Sequence, residues 1–371
     1  MWFPRSTDVF VIGGGPAGLA AALAARRNGL EVTVADAAVP PIDKACGEGI
    51  MPDGVAAARS LGLHLEATDA QRFCGIRFRE GDAAVEAAFP RGFGLGLRRT
   101  TLHQLMVDRA AQAGVRLLWG ARITGIANDC VYADDRTIRT RWIVGADGGQ
   151  STVRRWAGLD ASVHESRRYG FRRHYRLDRW SDFMELHWGD GCQLYITPTA
   201  EREVCVVLIG RDPKMRLDDA LPRFPEVARR LASAATVASP ERGGVSTSRR
   251  LKAVHRGNVA LVGDASGSVD AITGEGLCLL FQQAIALADA LTAGDLSLYR
   301  AAHRRIGRRP EMMANLMLLL DGRGRLRRRA IRALAAHPPL FARMLALHIG
   351  EISNKELLTN SLSLGWHMLT I

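Results

Sequence analysis

Gly13-x-Gly15-x-x-Gly18, within DVFVIGGGPAGLAAALAARRNGLEVTVAD, has the spacing that brings a backbone against a phosphate. Gly13 permits a tight turn, Gly15 lets a pyrophosphate approach the main chain, and Gly18 lets a helix pack closely on a strand. Pro16 suits a first helical turn, where its missing N–H is not needed, and Ala17 opens a run of helix formers. The N–H groups at that helix N-terminus present positive partial charge to an anion. Asp36 stands where a carboxylate accepts bonds from ribose hydroxyls. These residue types at these intervals predict a dinucleotide site.

The elements that must hold them follow from the same stretch. Val9 to Ile12 is a short apolar run closed by glycines, which predicts a buried parallel strand and a sharp turn. Ala17 to Arg27 predicts a helix, and Glu31 to Ala35 a second strand. The uncharged run Val9 to Ala25 nearly matches a short membrane span in length. Three glycines interrupt it, as they would not in an anchor or the core of a signal peptide. Two further turns follow apolar strands. Trp142 to Val144 leads into Gly145-Ala146-Asp147-Gly148, with Ser151 placed to cap the next helix. Val259 to Val262 leads into Gly263-Asp264-Ala265, and Gly274-Glu275-Gly276 opens a long helix from Leu277 onward.

A chain of 371 residues accommodates two domains with substantial cores. At 47% hydrophobic and 24% charged, without low-complexity tracts, it has the composition of a soluble globular protein. The net charge of +12 is almost wholly arginine, since Lys44, Lys214, Lys252 and Lys355 are the only lysines. The arginines are scattered and no nucleic-acid module accompanies them, which argues against a nucleic-acid partner. Cys46, Cys74, Cys130, Cys192, Cys205 and Cys278 form no CxxC pair and no zinc-like spacing with histidine. No metal site is therefore expected, and the thiols read as reduced, in a cytoplasmic protein.

In order and spacing, the three turn motifs resemble those of single-component FAD-dependent oxidoreductases, the superfamily of class A flavin monooxygenases (aromatic hydroxylases) and geranylgeranyl reductases. The likeness runs over residues 8 to 300. It implies an α/β fold: a three-layer, Rossmann-like FAD-binding domain, an inserted antiparallel β-sheet substrate domain, and a helical C-terminal region. On that reading residues 1–70, 98–163 and 251–310 form the FAD domain, 71–97 and 164–250 the substrate domain, and 311–371 the C-terminal helices. The resemblance also implies FAD as cofactor, Asp147 near its pyrophosphate, and Asp264 on its ribityl chain. Gly274, Glu275 and Gly276 would pass beside the flavin ring. A helix N-terminus there stabilises the charge of a reduced flavin by roughly 0.3–2 kcal/mol. GLGLRRTTLHQLMVDRA resembles the family's Arg-x-x-Leu/Phe helix start, matching Arg99 and Leu102, with Arg98 an open neighbour. Such an arginine pairs with phosphate or the flavin edge. DKACGEGIMPDG resembles the Lys-Pro-Cys-Gly loop of the reductase branch, with Ala45 in place of proline. That places Lys44 and Cys46 beside the cofactor, Cys46 either near the substrate or as a small residue buried in a turn.

Two stretches between the FAD segments read as strands, Phe73 to Ala88 and Tyr169 to Ser248. MELHW alternates, setting Met184, Leu186 and Trp188 against Glu185 and His187, and CQLYITP sets Gln193, Tyr195 and Thr197 on one face. An antiparallel sheet with an apolar face would roof the flavin and keep its pocket dry. Geranylgeranyl reductases carry Tyr-x-Trp-x-Phe-Pro and flavin halogenases Trp-x-Trp-x-Ile-Pro at the matching strand; this chain has Gln193-x-Tyr195-x-Thr197-Pro198. No lysine lies between Lys44 and Lys214, which argues against halogenation. Gly274-Glu275-Gly276 stands closer to the reductase branch, so the two comparisons pull apart. Tyr195, His187, His174 and Glu185 are the candidate proton carriers. Tyr195 leads by its motif position, and a lone histidine on a strand is ordinarily solvent-facing.

The segment GRLRRRAIRALAAHPPLFARMLALHIG is basic and apolar, and Pro338-Pro339 breaks it. It reads either as helices packed over the FAD domain or as a surface for an anionic membrane. The sequence thus predicts a two-domain flavoprotein with non-covalent FAD, reduced transiently by NAD(P)H, because no second GxGxxG appears. The expected reaction is hydroxylation or epoxidation of a moderately apolar small molecule. The alternative is reduction of carbon–carbon double bonds in a lipophilic one, with a non-catalytic redox sensor further behind.

Overall fold

The computed structural model describes residues 3–134, 136–232 and 236–352. Ser6–Ile12 lies at the middle of an eight-stranded sheet. Its path runs His255–Arg256, Val259–Leu261, Arg136–Gly145, Ser6–Ile12, Val32–Asp36, Arg116–Trp119, and Ile123–Ala127 and Cys130–Ala133 join beside Arg136–Gly145. The five strands from Val259–Leu261 to Arg116–Trp119 are mutually parallel. Val9, Phe10 and Val11 are buried, as the continuous apolar run requires of a strand covered on both faces. Register explains where the site falls. Ile12 pairs with Ala35 on one side and Gly145 on the other, and Gly145 pairs with Leu261. Four strands therefore end together, bringing the Gly13, Asp36, Ala146 and Gly263 turns to one edge of the sheet.

The helix Pro16–Arg27 buries Ala20 to Ala25, small side chains that let it lie close to the sheet and to Gly276–Ala293. Gly276–Ala293 is the one helix among the described residues long and apolar enough to cross a membrane. Here it packs against Pro16–Arg27, Pro52–Ser60 and Leu296–Asp321.

A second eight-stranded sheet runs Thr236–Val237, Ser162–Arg176, Glu203–Gly210, Cys192–Ala200, Phe183–Trp188, Gly75–Glu80, Ala83–Ala88, with Arg242–Leu251 paired to Ser162–Arg176. Neighbours are antiparallel except Phe183–Trp188 with Gly75–Glu80. Gly49–Ile50, Gly94–Gly96 and Gln71–Phe73 form a small third sheet. Both faces of Phe183–Trp188 are covered, so Glu185 and His187 are buried and not solvent-facing.

The C-terminal expectation needs two corrections. The boundary at 310/311 falls inside the helix Leu296–Asp321. The next helices, Gly324–Ala336 and Pro338–His348, pack chiefly on Ala83–Ala88 of the second sheet and reach the FAD half through Leu296–Asp321 and through His348, 3.7 Å from Glu275. Phe78 sits between them and that sheet, 4.9 Å from the Phe341 ring and 6.1 Å from Trp188. Residues 353–371 of the predicted region lie outside the described residues.

Candidate FAD and substrate site

One cavity of about 1850 Å³ runs between the two large sheets. Pockets for single small ligands are typically about 300–1,000 Å³, so this one has room for a cofactor and a second molecule. The glycine turn forms one end. Gly13 has φ +111°, and a Cβ there would stand 2.4 Å from the Ala146 carbonyl oxygen. A Cβ on Gly18 would stand 1.9 Å from the Gly13 carbonyl oxygen, whereas one on Gly15 would meet no protein atom within 4 Å. Gly15 is bare toward the cavity, as a backbone that receives a phosphate must be. Pro16 begins the helix, and Pro16 and Ala17 line the cavity beside it.

The acids hold their turns. Asp36 Oδ2 accepts from the Gly14 N–H at 2.7 Å and Oδ1 from the Ala38 N–H at 2.8 Å. Asp147 Oδ2 accepts from Thr152 and Val153 N–H groups at 2.7 and 3.1 Å, and Ser151 Oγ caps the same helix through the Arg154 N–H. Asp147 Oδ1 is buried without a partner. Asp264 and Lys44 pair at 3.0 Å on the cavity wall, both about half exposed. Arg99 lines the cavity and its buried Nε has no partner, while Arg98 pairs with Glu203. Of the two arginines, Arg99 is the one on the cavity wall. Gly274 has φ +69°, and Gly276 starts the long helix; both line the cavity. Glu275 does not. Its carboxyl is buried on the far side, 3.7 Å from His348, and burial raises its pKa to about 8. The two glycines line the cavity, but the side chain between them projects away from it.

The bare Gly15 backbone, two helix N-termini, and orphaned Arg99 and Asp147 atoms fit a long dianionic cofactor with a polar chain. Gly13, Gly15, Pro16 and Arg99 would hold phosphate, Asp36 ribose, and Lys44 and Asp264 the chain between.

On the second sheet Met184, Tyr195, Thr197, Val207 and Ile209 face the cavity. Tyr195 is buried, and its hydroxyl donates to the Ile272 carbonyl at 2.6 Å. Burial raises its pKa strongly, so it is a tie between sheet and turn and a poor acid or base. Gln193 is not on the cavity wall; it bonds Arg168 and Asp321. His187 Nε2 meets Glu185 Oε2 at 2.8 Å. Burial works against the Glu185 anion, but bonds from His187, Trp180 and Arg77 prevail and bring its pKa to about 2. Neither residue reaches the cavity. Cys46 lines it, half-buried, with Sγ 3.4 Å from the Glu48 N–H.

Sequence reasoning missed Glu48, Arg172, Asp43 and His303. Glu48 is buried, has φ +59°, and joins Arg172 at 2.8 Å and His174 at 2.6 Å. Its signal was a lone acid inside the glycine-rich DKACGEG loop. His303 lines the cavity, 2.9 Å from Ser266 Oγ, and burial lowers its pKa to about 4. His303 lacked any signal of its own beyond a place on a helix.

Fold and cavity together define a flavin-dependent oxidoreductase with the nucleotide fold on one side and a substrate sheet on the other. The chain belongs to the FAD binding domain family, whose model matches residues 6–295. It is 30% identical to a menaquinone reductase of Mycobacterium tuberculosis over 328 residues, covering 79% of this chain and 78% of that protein. It is 25% identical to a digeranylgeranylglycerophospholipid reductase of Methanocaldococcus jannaschii over 294 residues, 73% of each chain. A flavoprotein/dehydrogenase from Cytophaga hutchinsonii superposes with a TM-score of 0.81 over 95% of this chain and 94% of its own, at 17% identity, a likeness of fold.

Proposed function

We propose that the protein reduces carbon–carbon double bonds of a lipophilic, isoprenoid-like substrate, with FAD reduced in turn by NAD(P)H. This reverses the order in which the sequence ranked hydroxylation and reduction. The observation that carries it is the substrate wall. Along its central strands, Phe183–Trp188, Cys192–Ala200 and Glu203–Gly210, the cavity-lining side chains are apolar apart from Tyr195 and Thr197, and the Tyr195 hydroxyl is already committed to Ile272. A hydroxylase that must deprotonate a phenol finds no free base on those three strands. The reductase names of the relatives support the same choice. FAD, when bound, supplies the two-electron chemistry; the chain binds it, orients it and excludes water.

The exposed arginines Arg325, Arg328, Arg329 and Arg332 on Gly324–Ala336 support docking on the cytoplasmic face of an anionic membrane, where such a substrate resides. The test is anaerobic incubation of FAD-loaded protein with NADPH and a polyprenyl menaquinone, read by mass spectrometry. Gain of two hydrogens in the prenyl chain, located by fragmentation after the ring is reoxidised to the quinone, supports the reading. No anaerobic product, with an oxygen atom gained in air, overturns it in favour of monooxygenation.

A further inference from the structure

The cavity has room for a second molecule beside FAD, and one of its walls carries charge that the FAD site does not use. That wall is the helix Leu296–Asp321. Arg300, Arg304 and Arg308 all line the cavity, and all three are exposed. A spacing of four residues stacks them on one helix face, a turn apart. Past Glu311 the same face loses its charge, and Ala314, Asn315 and Leu318 line the cavity there.

No acid of the protein neutralises the row. Among the described residues none of the three arginines has a hydrogen bond or an ion pair. The neighbouring acids are taken. Glu311 pairs with Arg250 at 3.3 Å, Glu165 and Asp160 with Arg249 at 2.8 and 3.6 Å, and Asp264 with Lys44 at 3.0 Å. Asp295 caps the helix through the Ser297 N–H at 2.8 Å. Burial and then the Arg300 charge lower the pKa of His255, so that neighbour adds no acid either. Like charges at this spacing repel along a helix, and an anion lying across the row would relieve them.

The row stands beside the cofactor and outside its phosphate cradle. His303 lines the cavity from the same helix, with Nε2 2.9 Å from Ser266 Oγ. Ser266 ends the turn that carries Asp264. The FAD phosphates are provided for elsewhere, at Gly13, Gly15 and Arg99.

The length of the row selects its ligand. At 1.5 Å per residue it runs roughly 12 Å from Arg300 to Arg308. The two phosphorus atoms of a lone diphosphate share one bridging oxygen, so such a group spans a single turn of the row. A molecule with two separated phosphate groups spans all of it. NADPH carries a pyrophosphate and a ribose 2′-phosphate, and NADH lacks the second. Guanidinium forks bind phosphate oxygens in pairs.

We propose that Arg300, Arg304 and Arg308 dock the phosphates of NADPH and select it over NADH. This rests on the reading that a nicotinamide dinucleotide reduces the flavin.

The experiment uses the FAD-loaded full chain, the single variant Arg304→Gln and the triple variant Arg300→Gln/Arg304→Gln/Arg308→Gln. Glutamine matches arginine closely in helix propensity, and the replaced side chains are exposed, so the fold is kept. Arg305→Gln is the control, because Arg305 is exposed on the same helix and does not line the cavity. Calorimetric titration of wild type should give NADP⁺ about tenfold tighter than NAD⁺, with 2′,5′-ADP competing and inorganic pyrophosphate competing poorly. Arg304→Gln should weaken NADP⁺ about tenfold, the triple variant should bind the two dinucleotides alike, and Arg305→Gln should change little. FAD affinity should be unchanged throughout. Equal affinity for both dinucleotides in wild type, or undiminished NADP⁺ affinity in the triple variant, overturns the site. So does equal weakening by Arg305→Gln, which makes the effect one of net charge. Pyrophosphate competing as well as 2′,5′-ADP overturns it in favour of a simple anion site, and weakened FAD assigns the row to the cofactor. Anaerobic bleaching of the wild-type flavin tests the reading beneath. Bleaching by neither NADPH nor NADH refutes that reading, whereas equal bleaching by both at low concentration leaves it standing and refutes the selection alone.

Discussion

Replacing Tyr195 with phenylalanine removes one oxygen and leaves the ring. The lost bond, 2.6 Å to the Ile272 carbonyl, lies in a buried place. Ile272 belongs to the 3₁₀ turn Ala271–Thr273, directly before Gly274 and the helix start at Gly276. The bond therefore ties the substrate sheet to the turn on the flavin side. Its loss leaves a carbonyl without its partner, which costs about 1–3 kcal/mol. At the usual unfolding entropy per residue, a chain of this length should lose roughly 1–4 °C in Tm. Urea unfolding and calorimetry of Tyr195→Phe measure this, and absorbance titration follows FAD. We expect the stability loss, FAD affinity within a few-fold of wild type, and turnover reduced less than tenfold, because the hydroxyl carries no proton. Tyr195→Ala also opens the roof to water and should lower product yield per NAD(P)H oxidised. A 10²–10⁴-fold fall in kcat for Tyr195→Phe at unchanged stability would refute this reasoning and restore the tyrosine as an acid.

Three further outcomes follow from the site. Gly15→Ala adds a methyl that meets only cavity, so urea stability should change by less than about 0.5 kcal/mol while FAD binding is lost; Gly18→Ala drives a methyl into the Gly13 carbonyl and should cost about 1–3 kcal/mol of stability even without FAD. Asp264→Ala should weaken FAD by about 1–3 kcal/mol in fluorescence titration and leave Lys44 unpaired; an unchanged dissociation constant counts against the ribityl assignment. Glu275, with a folded pKa of about 8 against 4.5 unfolded, favours folding below pH 4.5, and that contribution is lost as pH rises to about 8. His348 and His303, lowered to about 4 from 6.5, act oppositely between those values, so the Glu275 slope emerges above pH 6.5. Glu275→Gln should flatten urea stability from pH 6.5 to 8, where wild type falls by up to about 1.4 kcal/mol per pH unit.

The nucleotide half was legible because its chemistry is carried by backbone. A phosphate is met by N–H groups and helix ends, and only glycine spacing admits it, so Gly13, Gly15 and Gly18 report the site almost by themselves. Parallel pairing then does the rest. Once Ile12, Ala35, Gly145 and Leu261 lie in register, each strand's following turn must arrive at the same edge. Asp36, Asp147 and Asp264 were visible as strand-terminal acids for that reason. Glu275 misled because a motif fixes main-chain path. Its neighbours Gly274 and Gly276 take the cavity, and alternation of direction around a helix start sends the side chain between them toward Asp53, Arg309 and His348.

The substrate half was less legible because its polar side chains are satisfied across the sheet and not along the sequence. Alternation in MELHW correctly separates two faces, yet it cannot tell whether the second face meets water or another layer. The helix Pro225–Ala232 covers the face that carries Glu185 and His187, its Val227 and Leu231 packing with Leu194 and Ile196, and residues such as His187 become buried only through that packing. The same holds for the acid–base cluster. His174 and Glu48 are 126 positions apart, and no local pattern links them. They meet because Ser162–Arg176 runs antiparallel to Glu203–Gly210, which sets His174 opposite Cys205, and the Cys205 thiol rests on the Cys46 carbonyl. A glycine-rich loop pressed against a strand in this way must satisfy whatever acid it carries. Glu48 meets that demand in a left-handed conformation, its carboxylate bonded to the Arg99 N–H, Arg172 and His174, so the cross-sheet partners and not the local sequence explain it.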